Sequence, residues 1–215
     1  MNKAVIFDLD GTLLNTLGDL TAAVNHALAA HGFPTRTEAQ VRGYVGDGVR
    51  ELIARACPPD TDPDTRASVL AAYLSYYAAH NADLTAPYEG IPTLLQELKG
   101  AGYRLAVVSN KHDPGVQALT ARFFGDDMDL AVGADGTRPL KPAPDNLLYA
   151  MERLEIAPAD VWYVGDSAQD VMTARAAGVK CIAVTWGFQD EDRLRAENPT
   201  AVAHTADEVQ NVLLA

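Results

Sequence analysis

Positive charge, cysteine and long apolar runs are all scarce in this chain. Lysine and arginine together number 17 against 29 aspartates and glutamates, a net charge of −12 at neutral pH. That balance, with a pI near 4.7, argues against nucleic acid and anionic membrane surfaces as partners. It leaves room for a small anionic substrate, because a site can be locally positive within an acidic protein. The two cysteines, Cys57 and Cys181, fit no metal or redox spacing and read as buried or tolerated thiols of a reducing compartment. No segment approaches the length needed to span a bilayer. The first apolar run, residues 4–7, is too short for a signal peptide and no small-residue cleavage site follows it. A cytoplasmic protein is expected. Oligomeric state is unreadable beyond a monomer or a small homo-oligomer.

What is present is an alternation. At 215 residues and 48% hydrophobic content the chain is one large domain, or a domain carrying an insertion. Short β-branched runs at 4–7, 104–108, 130–132, 161–164 and 180–184 are continuously apolar, as strands of a parallel sheet covered on both faces should be. Amphipathic stretches lie between them at 91–99, 114–123, 144–154 and 168–177, and Gly102 and Gly178 stand where helix C-caps are wanted. The pattern predicts an α/β fold with a doubly wound, mostly parallel sheet.

One interval breaks the rhythm. From about Leu14 to Ala86 the pattern is helical only, with stripes at Leu17, Leu20, Val24, Ala27 and Leu28, at Val49, Leu52, Ile53 and Ala56, and at Val69, Leu70, Tyr73, Leu74 and Tyr77. Turn signals separate them at Gly32-Phe33-Pro34, Gly46-Asp47-Gly48 and Pro58-Pro59-Asp60. The expected organisation is therefore a core of residues 1–14 and 87–215 and an all-helical insertion of residues 15–86. The acidic stretch 190–199 reads as a solvated surface loop.

The chemistry-bearing residues fall at strand ends. Asp8-Leu9-Asp10-Gly11-Thr12 follows the first strand, and ligands of open α/β sheets bind at the carboxyl ends of strands. Ser109-Asn110-Lys111 closes the second strand, Lys141 precedes a helix in Arg138-Pro139-Leu140-Lys141-Pro142, and Gly165-Asp166-Ser167-Ala168-Gln169-Asp170 closes the fourth. Each has a dull alternative: Ser109 an N-cap, Lys141 a surface lysine, the aspartates ordinary turn residues. Their occurrence together, in order, is the specific signal. Phosphoryl transfer needs such a set. Asp8 and Asp166 can hold Mg²⁺, and Asp8 can attack phosphorus. Asp10, two residues on, can give and take the proton, while Lys141 and the Ser109 hydroxyl bind phosphoryl oxygens.

These segments resemble the four motifs of the haloacid dehalogenase superfamily, and the match covers the whole chain. The resemblance implies a Rossmann-like core with a small helical cap inserted after the first strand. It implies Asp8 as nucleophile and Asp10 as acid/base, with Asp8, the Asp10 carbonyl and Asp166 binding Mg²⁺ and Asp170 in support. Thr12, Ser109, Asn110 and Lys141 fall to phosphate or substrate binding. Residues 15–30, the segment around Lys141 and Val184-Thr185-Trp186-Gly187-Phe188 most resemble the phosphoglycolate phosphatase branch. The implied function is Mg²⁺-dependent hydrolysis of a small phosphorylated metabolite such as 2-phosphoglycolate, with pyrophosphate and nucleoside monophosphates as alternatives.

Departures and near relatives refine this. Asn15 stands where relatives usually carry an acidic residue at the cap hinge. Dehalogenases usually lack an acid at the position of Asp10. Phosphonoacetaldehyde hydrolases use a cap lysine, and residues 13–86 contain none. β-Phosphoglucomutases carry a cap histidine where this chain has Leu20. Receiver domains hold an aspartyl phosphate with similar residues but have no helical cap. Within the insertion, Gly46-Asp47-Gly48-Val49-Arg50 can form a carboxylate clamp through Arg50, or equally a plain turn followed by a solvated arginine. Arg42, His112 and Trp186 are further candidates.

Overall fold

In a computed structural model describing residues 3–215, the chain forms two compact units. One joins the N-terminal residues up to Asn15 with Pro87–Ala215, and the other is Thr16–Ala86. In chain order the elements are β1 (Lys3–Phe7), β2 (Leu14–Asn15), α1 (Leu17–Ala30), α2 (Glu38–Arg42), α3 (Val49–Ala56), α4 (Pro63–His80) and β3 (Ala86–Pro87). Then come α5 (Ile91–Gly100), β4 (Tyr103–His112), α6 (Asp113–Phe123), β5 (Leu130–Ala134), α7 (Asp145–Leu154) and β6 (Val161–Gly165). The chain ends with α8 (Ala168–Ala177), β7 (Lys180–Val184), α9 (Glu191–Ala196), β8 (Ala201–Ala203) and α10 (Ala206–Leu214).

Six strands form one sheet in the order β5-β4-β1-β6-β7-β8, and the pairings within it are parallel. The apolar runs explain this. A strand such as Ala4-Val5-Ile6-Phe7 is fully buried on both faces, so it requires helices on each side. Ala4 and Ile6 pack with Ala106, Val108 and Val132 against Leu147 and Met151 of α7 and Val171 and Ala174 of α8. Strand alternation turns Val5 and Phe7 to the opposite face. β1 is the switch point: the chain runs outward from it through β4 and β5, then returns to its other side as β6, β7 and β8. Crevices open at such reversals.

Three departures from the sequence reading stand out. The acidic stretch 190–199 contains α9, anchored by fully buried Leu194 among charged neighbours. An additional edge strand, β8, pairs with β7. β4 runs past Ser109 to His112, with its ladder to β5 shifting register between Val108 and His112, so Ser109 lies within the strand and not at its end.

The unit Thr16–Ala86 has its own core, in which Leu20, Val24 and Leu28 of α1 meet Ile53 of α3 and Val69, Tyr73 and Tyr77 of α4. α2 was not legible from periodicity; its Thr37 and Gln40 form a reciprocal capping box. Buried Asp19, in the first turn of α1, accepts hydrogen bonds from the backbone N–H groups of Leu84 and Thr85 and, at 2.7 Å, from the Thr85 hydroxyl. The start and end of this unit are thereby tied together. β2 and β3 pair as a separate two-stranded ribbon. No helix among the described residues is long and apolar enough to cross a membrane.

Candidate active site

The site grows from the C-terminal rim of the three strands at the switch point. Asp8 directly follows β1 and is only 8% exposed. Its Oδ1 accepts the Leu9 N–H at 2.7 Å and lies 2.9 Å from the Lys141 ammonium; among the described residues, none donates to its other oxygen. A carboxylate held by one oxygen, with the other open, has the form of a positioned nucleophile.

Lys141 arrives from the loop between β5 and α7. Asn110 of β4 fixes that loop: its side-chain oxygen accepts the Lys141 N–H at 2.8 Å and its amide donates to the Lys141 carbonyl at 3.2 Å. The ammonium then reaches Asp170 Oδ1 at 2.7 Å and the Tyr163 hydroxyl at 3.2 Å. Burial alone would lower the lysine's pKa, but the charges of Asp170 and Asp8 carry it well above its ordinary value, so Lys141 stays cationic. Asp170 is saturated. Besides Lys141 and Tyr163, it accepts from the Ser167 N–H and, at 2.6 Å, the Ser167 hydroxyl. Ser167 in turn caps α8, receiving the Asp170 N–H.

Asp166 occupies the rim of β6 and is 2% exposed. Its Oδ1 accepts the Thr12 hydroxyl at 3.0 Å and its Oδ2 the Phe188 N–H at 2.7 Å. Two glycines make room for it: a Cβ added at Gly11 or Gly187 would lie 2.3 Å from Asp166 Oδ2. Gly11 also has φ +86°, a conformation side chains resist. Trp186 braces the same corner by donating its indole N–H to the Thr12 carbonyl at 3.0 Å.

Oxygens of Asp8, Asp166 and Asp170 lie within 4.8 Å of one another. Burial, then repulsion from Asp8 and Asp170, pushes the Asp166 carboxyl up to about 8. Burial raises Asp8 to about 6, with Lys141 opposing and Asp170 adding to the rise. Two desolvated carboxylates in a glycine-walled cradle, with the Lys141 ammonium against one of them, fit a hard divalent cation bound by oxygen. Asp170, which accepts four hydrogen bonds against two at Asp166 and is bound directly to the ammonium, orients Lys141 instead.

The remaining candidates separate. Buried Ser109 accepts the Lys111 N–H at 3.3 Å. Thr12 contacts Asp166, and Asn110 holds the Lys141 backbone; these are positioning contacts within the site. Asp10 pairs through both oxygens with Lys111, at 2.9 and 3.1 Å. Arg50 lies in the first turn of α3, exposed, after Gly48 at φ 84°. Two contributors escaped the sequence reading. Lys111 sits beside Ser109 and Asn110, a position that could have flagged it. Tyr163 reads only as one more apolar strand residue.

A family model described as haloacid dehalogenase-like hydrolase matches residues 5–184. The chain belongs to the haloacid dehalogenase-like hydrolases. Within that family, Phosphoglycolate phosphatase 1 of Pseudomonas aeruginosa is 37% identical over 211 residues, covering 93% of this chain and 75% of that protein. The N-acetylmuramic acid 6-phosphate phosphatase of the same organism is 36% identical over 187 residues, covering 86% and 83%. A crystal structure from Lactobacillus delbrueckii subsp. bulgaricus, assigned as a phosphoglycolate phosphatase, matches with a TM-score of 0.92 at 32% identity over 99% of both chains. This family member is accordingly a phosphatase of the phosphoglycolate phosphatase-like kind.

Proposed function

We propose that this phosphatase hydrolyses small phosphate monoesters, 2-phosphoglycolate foremost, through an aspartyl phosphate on Asp8 and with Mg²⁺. The observation that carries the reading is the Asp8 carboxylate at the switch point, 2.9 Å from the buried Lys141 ammonium and clustered with Asp166. Asp8, Asp166 and the Asp10 carbonyl would hold Mg²⁺, which neutralises charge on the transferring phosphoryl oxygens.

The chain's own residues divide the reaction between them. An oxygen of Asp8 attacks phosphorus as the bond to the leaving oxygen breaks, and that oxygen takes the proton of the Asp10 carboxyl. Asp10, now a carboxylate, takes a proton from water whose oxygen attacks the same phosphorus. The bond to Asp8 breaks and inorganic phosphate leaves. Lys141 and the Ser109 hydroxyl hold the phosphoryl oxygens throughout, and Asp170 with Tyr163 keeps Lys141 in place.

The helical unit, read as residues 15–86, acts as the specificity cap, with Arg50 as the group that meets a substrate carboxylate. A sugar phosphate is the second reading, supported by the relative named N-acetylmuramic acid 6-phosphate phosphatase. The cytoplasmic assignment rests on the two free thiols, Cys57 and Cys181, both buried. Phosphate release with Mg²⁺, screened over carboxylated, sugar and nucleoside phosphates, tests the substrate. Mass spectrometry of acid-quenched turnover should find a phosphoryl group on Asp8, and Asp8→Asn should be inactive though folded. Turnover by Asp8→Asn above a few per cent of wild type, an estimate scaled to nucleophile deletions, would overturn the covalent route. Full activity in excess EDTA would overturn the metal.

A further inference from the structure

Lys111 is a buried ammonium that the mechanism above does not use. Its side chain is 7% exposed and that of Asp10 is 12% exposed, so the pair is shielded from the screening that weakens surface ion pairs. Lys111 lies in β4, and Asp10 follows the neighbouring strand β1. β1 and β4 are in parallel register with Phe7 opposite Val107. Asp10 lies three residues beyond the first and Lys111 four beyond the second. The aliphatic stem of Lys111 runs against Gly115 in the first turn of α6, where an added Cβ would lie 3.3 Å from its Cε. Its N–H meanwhile donates to the Ser109 hydroxyl. The stem is thus laid along a helix, the backbone is tied to Ser109, and the ammonium is delivered to both oxygens of Asp10.

Asp10 needs such a partner. It follows β1 in an irregular turn next to Gly11 at φ +86°, and nothing in a regular ladder fixes its carboxyl. A proton donor works only when held within hydrogen-bond reach of the leaving oxygen, and small misplacements of reacting groups cost large factors in rate. We infer that Lys111 is a positioning residue that sets the orientation of the Asp10 carboxyl for proton transfer to the leaving group. The inference rests on Asp10 acting as the acid in the proposed reaction.

Two substrates and a double mutant separate the outcomes. Lys111→Met should lower kcat on an alkyl phosphate such as 2-phosphoglycolate about tenfold or more, part of the 10²–10⁴ typical of general acids. On p-nitrophenyl phosphate, whose leaving group barely needs a proton, the loss should stay below about threefold. KM should change little on either. Lys111→Arg, which keeps a cation on the same stem, should recover much of the loss. In an Asp10→Asn background Lys111→Met should cost almost nothing more, because residues acting as a unit are non-additive. Equal losses on both substrates, or full additivity with Asp10→Asn, would overturn the inference and place Lys111 on the phosphate or in the fold. If Asp10→Asn itself lost equally on both substrates, the acid assignment would fall first and this inference with it. A Lys111→Met protein that does not fold hands the same comparison to Lys111→Gln, judged by the same outcomes.

Discussion

The ammonium of Lys141 stands 2.7 Å from Asp170, a carboxylate with no exposed surface. The pair is structural in consequence: with Asp170 removed, a desolvated ammonium would keep Asp8 as its one charged partner, beside the neutral Tyr163 hydroxyl and Val108 carbonyl. Breaking a buried ion pair from one side costs about 3–5 kcal/mol. Asp170→Asn should therefore lower the melting temperature by roughly 10 °C, at roughly 2–4 °C per kcal/mol for a domain of this size. Differential scanning calorimetry checks this, and an unchanged midpoint would show that Lys141 does not depend on Asp170.

The carboxylate cluster predicts a pH dependence of the metal-free protein. Asp166, ordinarily at 3.8, is pushed up to about 8 in the folded state, and Asp8 to about 6. Between about pH 4 and 8 the folded state thus binds protons that the unfolded chain has released, so stability falls as pH rises through that window. In EDTA the protein should melt at a higher temperature at pH 6 than at pH 8. Asp166→Asn should flatten the difference, and added Mg²⁺ should stabilise more at pH 8 than at pH 6. Melts that rise with pH in EDTA would contradict the electrostatic account.

Gly187 offers a test that leaves every charged group in place. Its missing Cβ is the space occupied by Asp166, with an added carbon only 2.3 Å from Asp166 Cβ. Gly187→Ala should displace that carboxylate and raise the Mg²⁺ concentration for half-maximal effect about 10- to 100-fold, the range for residues that orient metal ligands. The titration can be followed both by activity and by thermal shift. An unchanged Mg²⁺ requirement would mean that Asp166 adjusts without loss.

Arg50 is tested by a ratio. A guanidinium that holds a substrate carboxylate in a water-poor site contributes roughly 1.5–3 kcal/mol. Arg50→Ala should then lower kcat/KM about ten- to a hundredfold on 2-phosphoglycolate. It should spare p-nitrophenyl phosphate, which has no carboxylate. Equal losses on both substrates point to a structural arginine, and no loss on either to a solvated one.

The strands were legible because parallel strands covered on both faces are continuously apolar, and the five expected runs all lie within strands of the sheet. β8 was not, because Ala201-Val202-Ala203 is too short to show a pattern. α9 was misread since a single buried leucine, Leu194, carries its packing while its other residues are charged or small. At the site, the strand-end carboxylates Asp8 and Asp166 were readable from position alone. The contacts of Lys111 and Tyr163 were not. Lys111 meets Asp10 across 101 residues of chain, and Tyr163 reaches Lys141 across 22. Pairings of that kind depend on strand order, which local periodicity does not encode.

Asp19 fastens the end of its helical unit to the beginning, and the β2–β3 ribbon pairs the two connecting segments. For the sheet, the long excursion between β1 and β4 is therefore closed like a hairpin. Even a flexible excursion adds only about 0.6 kcal/mol of closure penalty per doubling of its length. One fastened at its neck removes most of that dependence. The interruption is modular: a longer, shorter or wholly different insert, clasped the same way at residues 16–19 and 84–86, would leave the register of β1 against β4, and so the spacing of Asp8 from Ser109, untouched.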